Sequence, residues 1–129
     1  MLDGFGRASG NPPAGPTLQE VSLDEIIDRD GARCAWCGAE PWRRDLTLEH
    51  VLPRSGGGVT TGDNALVACR RCNRDRGSKP VVAYVRALRE AGTEPQLPVI
   101  HRALERLSAS ALRRHREYGT RQLDLLSRL

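Results

Sequence analysis

The chain carries an alternating pattern followed by a short apolar run. Residues 46–51 ("LTLEHV") alternate apolar and polar side chains, which predicts a β-strand. Residues 64–69 ("NALVAC") form an apolar run that suits the returning strand of a hairpin. Residues 53–63 between them are polar and rich in glycine, which predicts a loop. The first strand therefore ends near Glu49 and His50.

Helical signals surround this hairpin. Ser22 and Glu25 form a capping-box sequence, which predicts a helix from Leu23 to about Asp30. Further helical patterns cover residues 70–77 (a turn entering a short helix), 81–91, 99–118 and 120–129, the last two separated at Gly119.

The first residues and the hydropathy bound the class of protein. Residues 1–17 hold four glycines and three prolines, which predicts a disordered tail. No apolar run approaches the roughly 18 residues of a membrane span, and the N-terminus lacks a signal-peptide pattern. We therefore expect a cytoplasmic protein with reduced cysteines and no membrane association.

Charge is distributed unevenly within a net charge of +4. Residues 1–32 carry two basic and six acidic side chains, whereas residues 70–92 carry seven basic and two acidic ones. Residues 101–129 carry seven basic and three acidic side chains. This asymmetry suits a polyanion partner, nucleic acid first, although a solvated arginine-rich helix surface gives the same pattern.

The four cysteines form two Cys-x2-Cys pairs with 31 residues between them. In a reducing compartment this arrangement predicts a zinc ion held by Cys34, Cys37, Cys69 and Cys72. With four thiolate ligands such a zinc has no open position, so its role is structural. Two disulfides would need an oxidising compartment, and unrelated buried thiols would not explain the doubled spacing.

A second group of polar residues has the chemistry for phosphodiester cleavage. His50 is a natural general base, and Glu49 and Asn73 supply the hard oxygens that Mg²⁺ or Mn²⁺ prefers. Arg76 follows Asn73 by one helical turn, where it could contact a phosphate. Neighbours on a strand point to opposite faces, but a short loop or bulge after Val51 could still bring both Glu49 and His50 to one cleft.

The run "LEHVLPRSGGG…DNALVACRRCNRDRGSK" resembles the zinc-knuckle branch of the HNH endonucleases, over about residues 23–80. The resemblance implies an α+β fold: a small ββα-metal core with the four-cysteine zinc site, flanked by an N-terminal helix and C-terminal helices. It implies a nuclease domain over residues 18–92 and a helical extension over residues 93–129.

The same resemblance implies roles for individual residues. His50 is the implied general base, Glu49 and Asn73 the ligands of a catalytic divalent cation, and Asn64 the residue that fixes the loop and orients the histidine. Glu49 stands where aspartate is common in the family, and Arg76 where lysine is common. The candidate nucleic-acid contacts are Arg54, Arg70, Arg71, Arg74, Arg76 and Lys79.

These features predict a metal-dependent HNH endonuclease that cleaves DNA and, as the resemblance implies, leaves 5′-phosphate and 3′-hydroxyl ends. One alternative is a zinc-stapled nucleic-acid-binding module without cleavage. Another is an interaction protein whose helices over residues 98–129 form a homodimer or dock on a larger assembly, because leucines recur there on one side. His101 and His115 have no ligand-spaced partner and are predicted to lie at the surface or the core edge.

Overall fold

The computed structural model describes residues 19–129. Within them lie one antiparallel sheet of two strands and five α-helices. The elements are β1 (Leu46–His50), β2 (Ala65–Cys69), α1 (Leu23–Asp30), α2 (Arg70–Arg76), α3 (Val81–Glu90), α4 (Leu97–Ser108) and α5 (Arg113–Leu126). The α+β class with a ββα core made of β1, β2 and α2 is therefore confirmed.

The hairpin brings the two cysteine pairs and the end of β1 into a fixed register. Leu46 pairs with Cys69, and His50 pairs with Ala65. Helix α2 begins directly after β2, and the Cys69 Sγ caps it by accepting a hydrogen bond from the Cys72 amide at 3.4 Å. The second cysteine pair thus joins the strand to the helix without any linker.

Two apolar clusters lie on opposite faces of the hairpin. Helix α1 packs Ile26 against one face, beside Leu46, Ala65 and Val67. The larger cluster covers the other face and includes side chains from α3, α4 and α5; its fully buried members include Trp36, Val85, Ile100, Leu104 and Leu107. The C-terminal helices therefore share one core with the hairpin.

The local signals in the N-terminal half are confirmed. Helix α1 spans the predicted residues, and both bonds of its capping box form between Ser22 and Glu25, at 2.8 and 3.2 Å. The two strands match their predicted positions to within one residue at each end. The loop between them contains two short 3-10 turns, Arg54–Gly56 and Gly62–Asn64.

The predicted helix over residues 99–118 and the break at Gly119 are wrong. Helix α4 ends at Ser108, and α5 runs through Gly119 without interruption. Gly119 is buried where the two helices pack, and a Cβ atom there would lie 2.6 Å from the Ser108 backbone nitrogen. The glycine therefore allows a close helix contact instead of ending a helix.

The leucines that suggested self-association are used inside the chain. Leu123 and Leu126 are partly buried and pack against the larger cluster, so the structure gives no support to a homodimer through them. No helix in the described part of the chain is long and apolar enough to cross a membrane. The predicted disordered tail, residues 1–17, lies outside the described residues.

Candidate functional site

The four cysteine sulfurs form a compact cluster. All four Sγ atoms lie within 4.8 Å of one another, and those of Cys37 and Cys69 are 4.0 Å apart. The edge of a tetrahedral zinc–sulfur site is about 3.8 Å, from Zn–S bonds of about 2.3 Å. A disulfide would need about 2.05 Å, and all four cysteines are free. The cysteines are therefore positioned to bind one metal ion.

The electrostatics of the cluster also favour a cation. A hydrogen bond with Cys72 lowers the pKa of Cys34 to about 5, whereas burial raises the pKa of Cys37. The hydrogen bond to Cys34 and then burial raise the pKa of Cys72. Four thiolates this close repel one another, so a bound positive ion is needed to keep all of them deprotonated.

Glu49 is almost fully buried at the C-terminal end of β1. Its Oε2 accepts a hydrogen bond of 2.9 Å from the Trp36 Nε1 and lies 3.5 Å from an Arg76 nitrogen. Burial raises the pKa of Glu49, and the charge of Arg76 opposes that shift. Its Oε1 accepts no hydrogen bond from residues 19–129, yet it is not sealed from solvent.

Arg76 corrects the sequence prediction of a phosphate contact. Its side chain has no solvent exposure, and its guanidinium lies over the Trp36 ring at 5.2 Å. It donates hydrogen bonds to the carbonyl oxygens of His50 at 2.6 Å, Val51 at 2.7 Å and Lys79 at 2.8 Å. The predicted contact is wrong for this fold, because the guanidinium is consumed in holding the end of β1.

The other predicted nucleic-acid contacts are exposed. Arg70, Arg71 and Arg74 lie on α2. Arg54 lies in the hairpin loop, and Lys79 follows the end of α2. Their exposure is compatible with a polyanion partner, and their role stays a prediction.

Asn73 and Glu49 face the same side of the hairpin. The Asn73 Nδ2 donates to the Thr47 Oγ1 at 3.2 Å, and Thr47 precedes Glu49 by two positions on β1. Residues two apart on a strand share a face. The Asn73 Oδ1 makes no hydrogen bond with any described residue, so both side chains keep an oxygen free on this side.

His50 points to the opposite face, as strand alternation predicts. Its Nε2 shares a hydrogen bond of 2.8 Å with the Thr60 Oγ1, in the loop after β1. Burial lowers the pKa of His50, and the positive charges of Arg54 and Arg76 lower it further. These effects favour the neutral form of the imidazole, and the bond to Thr60 holds its Nε2.

Asn64 fixes the loop, but among the described residues its side chain makes no hydrogen bond with His50. Its Oδ1 accepts from the Leu52 amide at 2.7 Å, and its Nδ2 donates to the carbonyl oxygens of Leu52 at 3.1 Å and Val59 at 3.0 Å. The loop closes tightly around it, because a Cβ atom on Gly58 would overlap the Leu52 carbonyl oxygen. Thr60, which sequence reasoning missed, is the residue that bonds His50.

His115 is the second residue that the sequence did not reveal. The predicted surface or core-edge position holds for His101, which is exposed, and is wrong for His115, which is 1% exposed. Its Nε2 accepts a hydrogen bond of 3.2 Å from the Val59 amide, and its Nδ1 lies 3.4 Å from the Asp63 Oδ1. No local pattern connects residues this far apart in sequence.

Comparison with known families addresses the same residues. Residues 34–87, which contain both cysteine pairs, the hairpin and α2, match the family described as HNH endonuclease. This part of the chain is similar to HNH endonucleases. The HNH segment holds every predicted site residue, whereas His115 lies outside it.

Two curated proteins resemble about half of the chain, and the chain spans less than a tenth of the length of either. The CRISPR-associated endonuclease Cas9 of Corynebacterium diphtheriae is 28% identical over 72 residues, which is 55% of this chain and 7% of that protein. Cas9 of Actinomyces naeslundii is 32% identical over 65 residues, or 50% of this chain and 6% of that protein. The family match and both relatives connect the HNH segment with nucleases.

Proposed function

We propose that this chain is a metal-dependent endonuclease that hydrolyses DNA phosphodiester bonds and leaves 5′-phosphate and 3′-hydroxyl ends. The observation that carries the proposal is the oriented His50 at the end of β1, with the free oxygens of Glu49 and Asn73 on the other side of the same strand end. The HNH family match supports the roles of a general base for His50 and of metal ligands for Glu49 and Asn73.

His50 acts as the general base. When its Nε2 donates to Thr60, its Nδ1 carries the lone pair and is free to take a proton from water. The lowered pKa keeps the ring neutral, which a base requires before it can accept a proton. Thr60 is then a positioning residue, because its hydroxyl group holds the His50 ring through Nε2.

Glu49 and Asn73 are the ligands of the catalytic cation. A carboxylate oxygen and an amide oxygen are the donors that Mg²⁺ and Mn²⁺ accept, and the remaining positions suit water and phosphate. When bound, a divalent cation supplies positive charge at the departing 3′ oxygen. Arg76 and Trp36 hold the Glu49 Oε2, which leaves its Oε1 for the ion.

The placement of base and ligands on opposite faces suits in-line displacement. In such a reaction the attacking water and the leaving oxygen lie on opposite sides of the phosphorus. A phosphate across the end of β1 has His50 on one side, and Glu49 with Asn73 on the other. A loop or bulge after Val51 that brings both side chains to one cleft is therefore not required for this chemistry.

The remaining parts are support and substrate binding. The ion held by the four cysteines is a structural zinc, because no ligand position remains open for substrate. The exposed cations hold the phosphate backbone; they are Arg54, Arg70, Arg71, Arg74 and Lys79. Contacts to the phosphate backbone do not depend on the base sequence, so this role needs no base-reading element.

Supercoiled plasmid tests the proposal. Wild-type protein and the His50→Ala variant are incubated with EDTA, Mg²⁺ or Mn²⁺, and nicked and linear products are separated on a gel. The matched control is His101→Ala, which removes an exposed histidine distant in sequence from the HNH segment. We expect cleavage that needs the metal, survives in His101→Ala and falls at least about a hundredfold in His50→Ala.

Two readings of the product complete the test. Nicks that a DNA ligase seals without prior end treatment have 5′-phosphate and 3′-hydroxyl ends. Equal cleavage by wild type and His50→Ala would refute the assigned base. A retarded DNA band without any cleavage would instead favour the non-catalytic binding module.

A further inference from the structure

We propose that His115, on α5 and outside the HNH segment, is a positioning residue that holds the loop that orients His50. The inference rests on the proposed function of His50 as the general base. It gives the C-terminal helices a part in catalysis beyond filling the core.

The first step is the bond between His115 and the loop. The His115 Nε2 accepts a hydrogen bond from the Val59 amide at 3.2 Å, so in the neutral ring the proton sits on Nδ1. That Nδ1 faces the Asp63 Oδ1 at 3.4 Å, and Asp63 is also buried. A carboxylate beside the ring favours this tautomer, and this tautomer is the one that accepts from Val59.

The backbone of Val59 and Thr60 connects His115 with His50. The Val59 carbonyl oxygen accepts from the Asn64 side chain at 3.0 Å, and the next carbonyl, that of Thr60, accepts from the Val21 amide at 3.0 Å. Three consecutive peptide groups, 58–59, 59–60 and 60–61, are therefore each held by a hydrogen bond. The Thr60 side chain, on this fixed backbone, bonds the His50 ring.

Packing alone does not explain a histidine at position 115. An apolar side chain of similar size would fill the space between α5 and the loop, but it would leave the Val59 amide without an acceptor. The buried His115 and Asp63 each keep one side-chain atom without a hydrogen bond, the Nδ1 and the Oδ2. A pair so imperfectly satisfied costs stability, which is typical of functional sites.

Three substitutions separate positioning from packing. His115→Leu keeps the volume and removes the acceptor. His115→Gln places an amide group near the position of Nε2, whereas His115→Asn reaches only the position of Nδ1. The matched control, His101→Leu, removes the exposed histidine of α4.

Steady-state cleavage of a DNA duplex gives the first readout. We expect His115→Leu and His115→Asn to lower kcat at least about tenfold with little change in KM, because only the orientation of the base is lost. His115→Gln should recover kcat to within about threefold of wild type, and His101→Leu should match wild type. If the leucine variant does not fold, the contrast between glutamine and asparagine still decides.

Nuclear magnetic resonance gives a readout that does not depend on cleavage. The Val59 amide should exchange slowly with solvent in wild type and His115→Gln, and rapidly in His115→Asn and His115→Leu. The ¹⁵N chemical shifts of the His50 ring should change in the two variants whose Val59 amide exchanges rapidly. A wild-type kcat in His115→Leu, or an unmoved His50 ring in both acceptor-lacking variants, would overturn the proposal. If wild type itself does not cleave, the nuclease proposal fails and the resonance experiment alone judges the positioning.

Discussion

At the scale of single residues, a buried cation organises the end of β1. The Arg76 guanidinium binds three carbonyl oxygens, lies over Trp36 and faces Glu49. A planar group with five donors can hold this set at once, which an ammonium group cannot. The arginine therefore fixes both the backbone of His50 and the carboxylate beside it.

Replacing Arg76 by lysine tests this role. We expect Arg76→Lys to lower the free energy of unfolding by about 2 to 4 kcal/mol, because buried carbonyl groups lose their donors. Urea denaturation measures the change. Arg74→Lys, an exposed substitution on the same helix, is the control and should stay within about 0.5 kcal/mol of wild type. Equal stabilities of the two variants would contradict the role given to Arg76.

The residue scale also shows what the sequence could predict. The spacing of Cys34, Cys37, Cys69 and Cys72 correctly predicted that the four side chains meet, because two short knuckles have few other uses in a reduced protein. The burial of Arg76 could not be predicted, since lysine or arginine on an isolated helix normally reaches solvent. Only the tertiary packing of Trp36 and Glu49 around it encloses the charge.

At the scale of elements, the loop after β1 works as a tightly packed unit. Asn64 closes it with three hydrogen bonds, and Gly58 brings its backbone against the Leu52 carbonyl oxygen. Gly58 is therefore needed for a close approach of the chain to itself.

Gly58→Ala tests the packing of the loop. A Cβ atom has no room beside the Leu52 carbonyl, so the loop and Thr60 must shift. We expect a loss of about 1 to 3 kcal/mol in the free energy of unfolding and a fall in cleavage rate of at least about tenfold. Gly62→Ala is the control, because its nearest neighbour, a Val21 methyl, would lie 3.8 Å away. A Gly58→Ala protein that behaves like Gly62→Ala would contradict this packing.

Gly119 gives a test in which two principles predict opposite signs. Helix propensity alone predicts that Gly119→Ala stabilises α5 by about 1 kcal/mol. The contact with the Ser108 backbone at 2.6 Å predicts the reverse, a loss of about 1 to 3 kcal/mol. Thermal unfolding of Gly119→Ala decides between them, and Thr120→Ala, at an exposed position, is the control. A raised melting temperature in Gly119→Ala would favour propensity over packing.

Local signals explain which elements the sequence predicted well. Helix α1 carries its own cap, and the hairpin strands carry alternation or an apolar run, so both were predicted closely. The boundary between α4 and α5 depends on how two helices cross, which is a contact between distant residues. A glycine inside such a contact has the same sequence signature as a glycine that ends a helix.

At the scale of the whole molecule, the four-cysteine cluster and the C-terminal helices share one core. Cys34 and Cys72 belong to the same apolar cluster as Ile100, Leu104 and Leu107. The sequence prediction separated residues 93–129 as an extension, because residues 93–98 ("TEPQLP") have the composition of a linker. Burial of their apolar faces against the hairpin face is a tertiary property that composition does not report.

Removing the metal should therefore affect every element together. Removing the ion with a strong chelator is expected to abolish the cooperative thermal transition or to lower its midpoint far below that of the loaded protein. The reason is that metal binding supplies much of the folding free energy of such a chain. Circular dichroism at the helix wavelengths, with metal content measured in parallel, gives the result. Restoration of the transition by Zn²⁺ is the control. An unchanged transition in metal-free protein would contradict a structural ion.

The environments of the two tryptophans have an optical consequence. Trp36 is fully buried and hydrogen-bonded to the carboxylate of Glu49, whereas Trp42 is 75% exposed. Acrylamide therefore quenches the emission of Trp42 and spares that of Trp36. The remaining fluorescence comes from the indole that is hydrogen-bonded to Glu49. If Glu49 holds the divalent cation as proposed, a Mg²⁺ titration should change this emission, so the protein carries its own dye for that site.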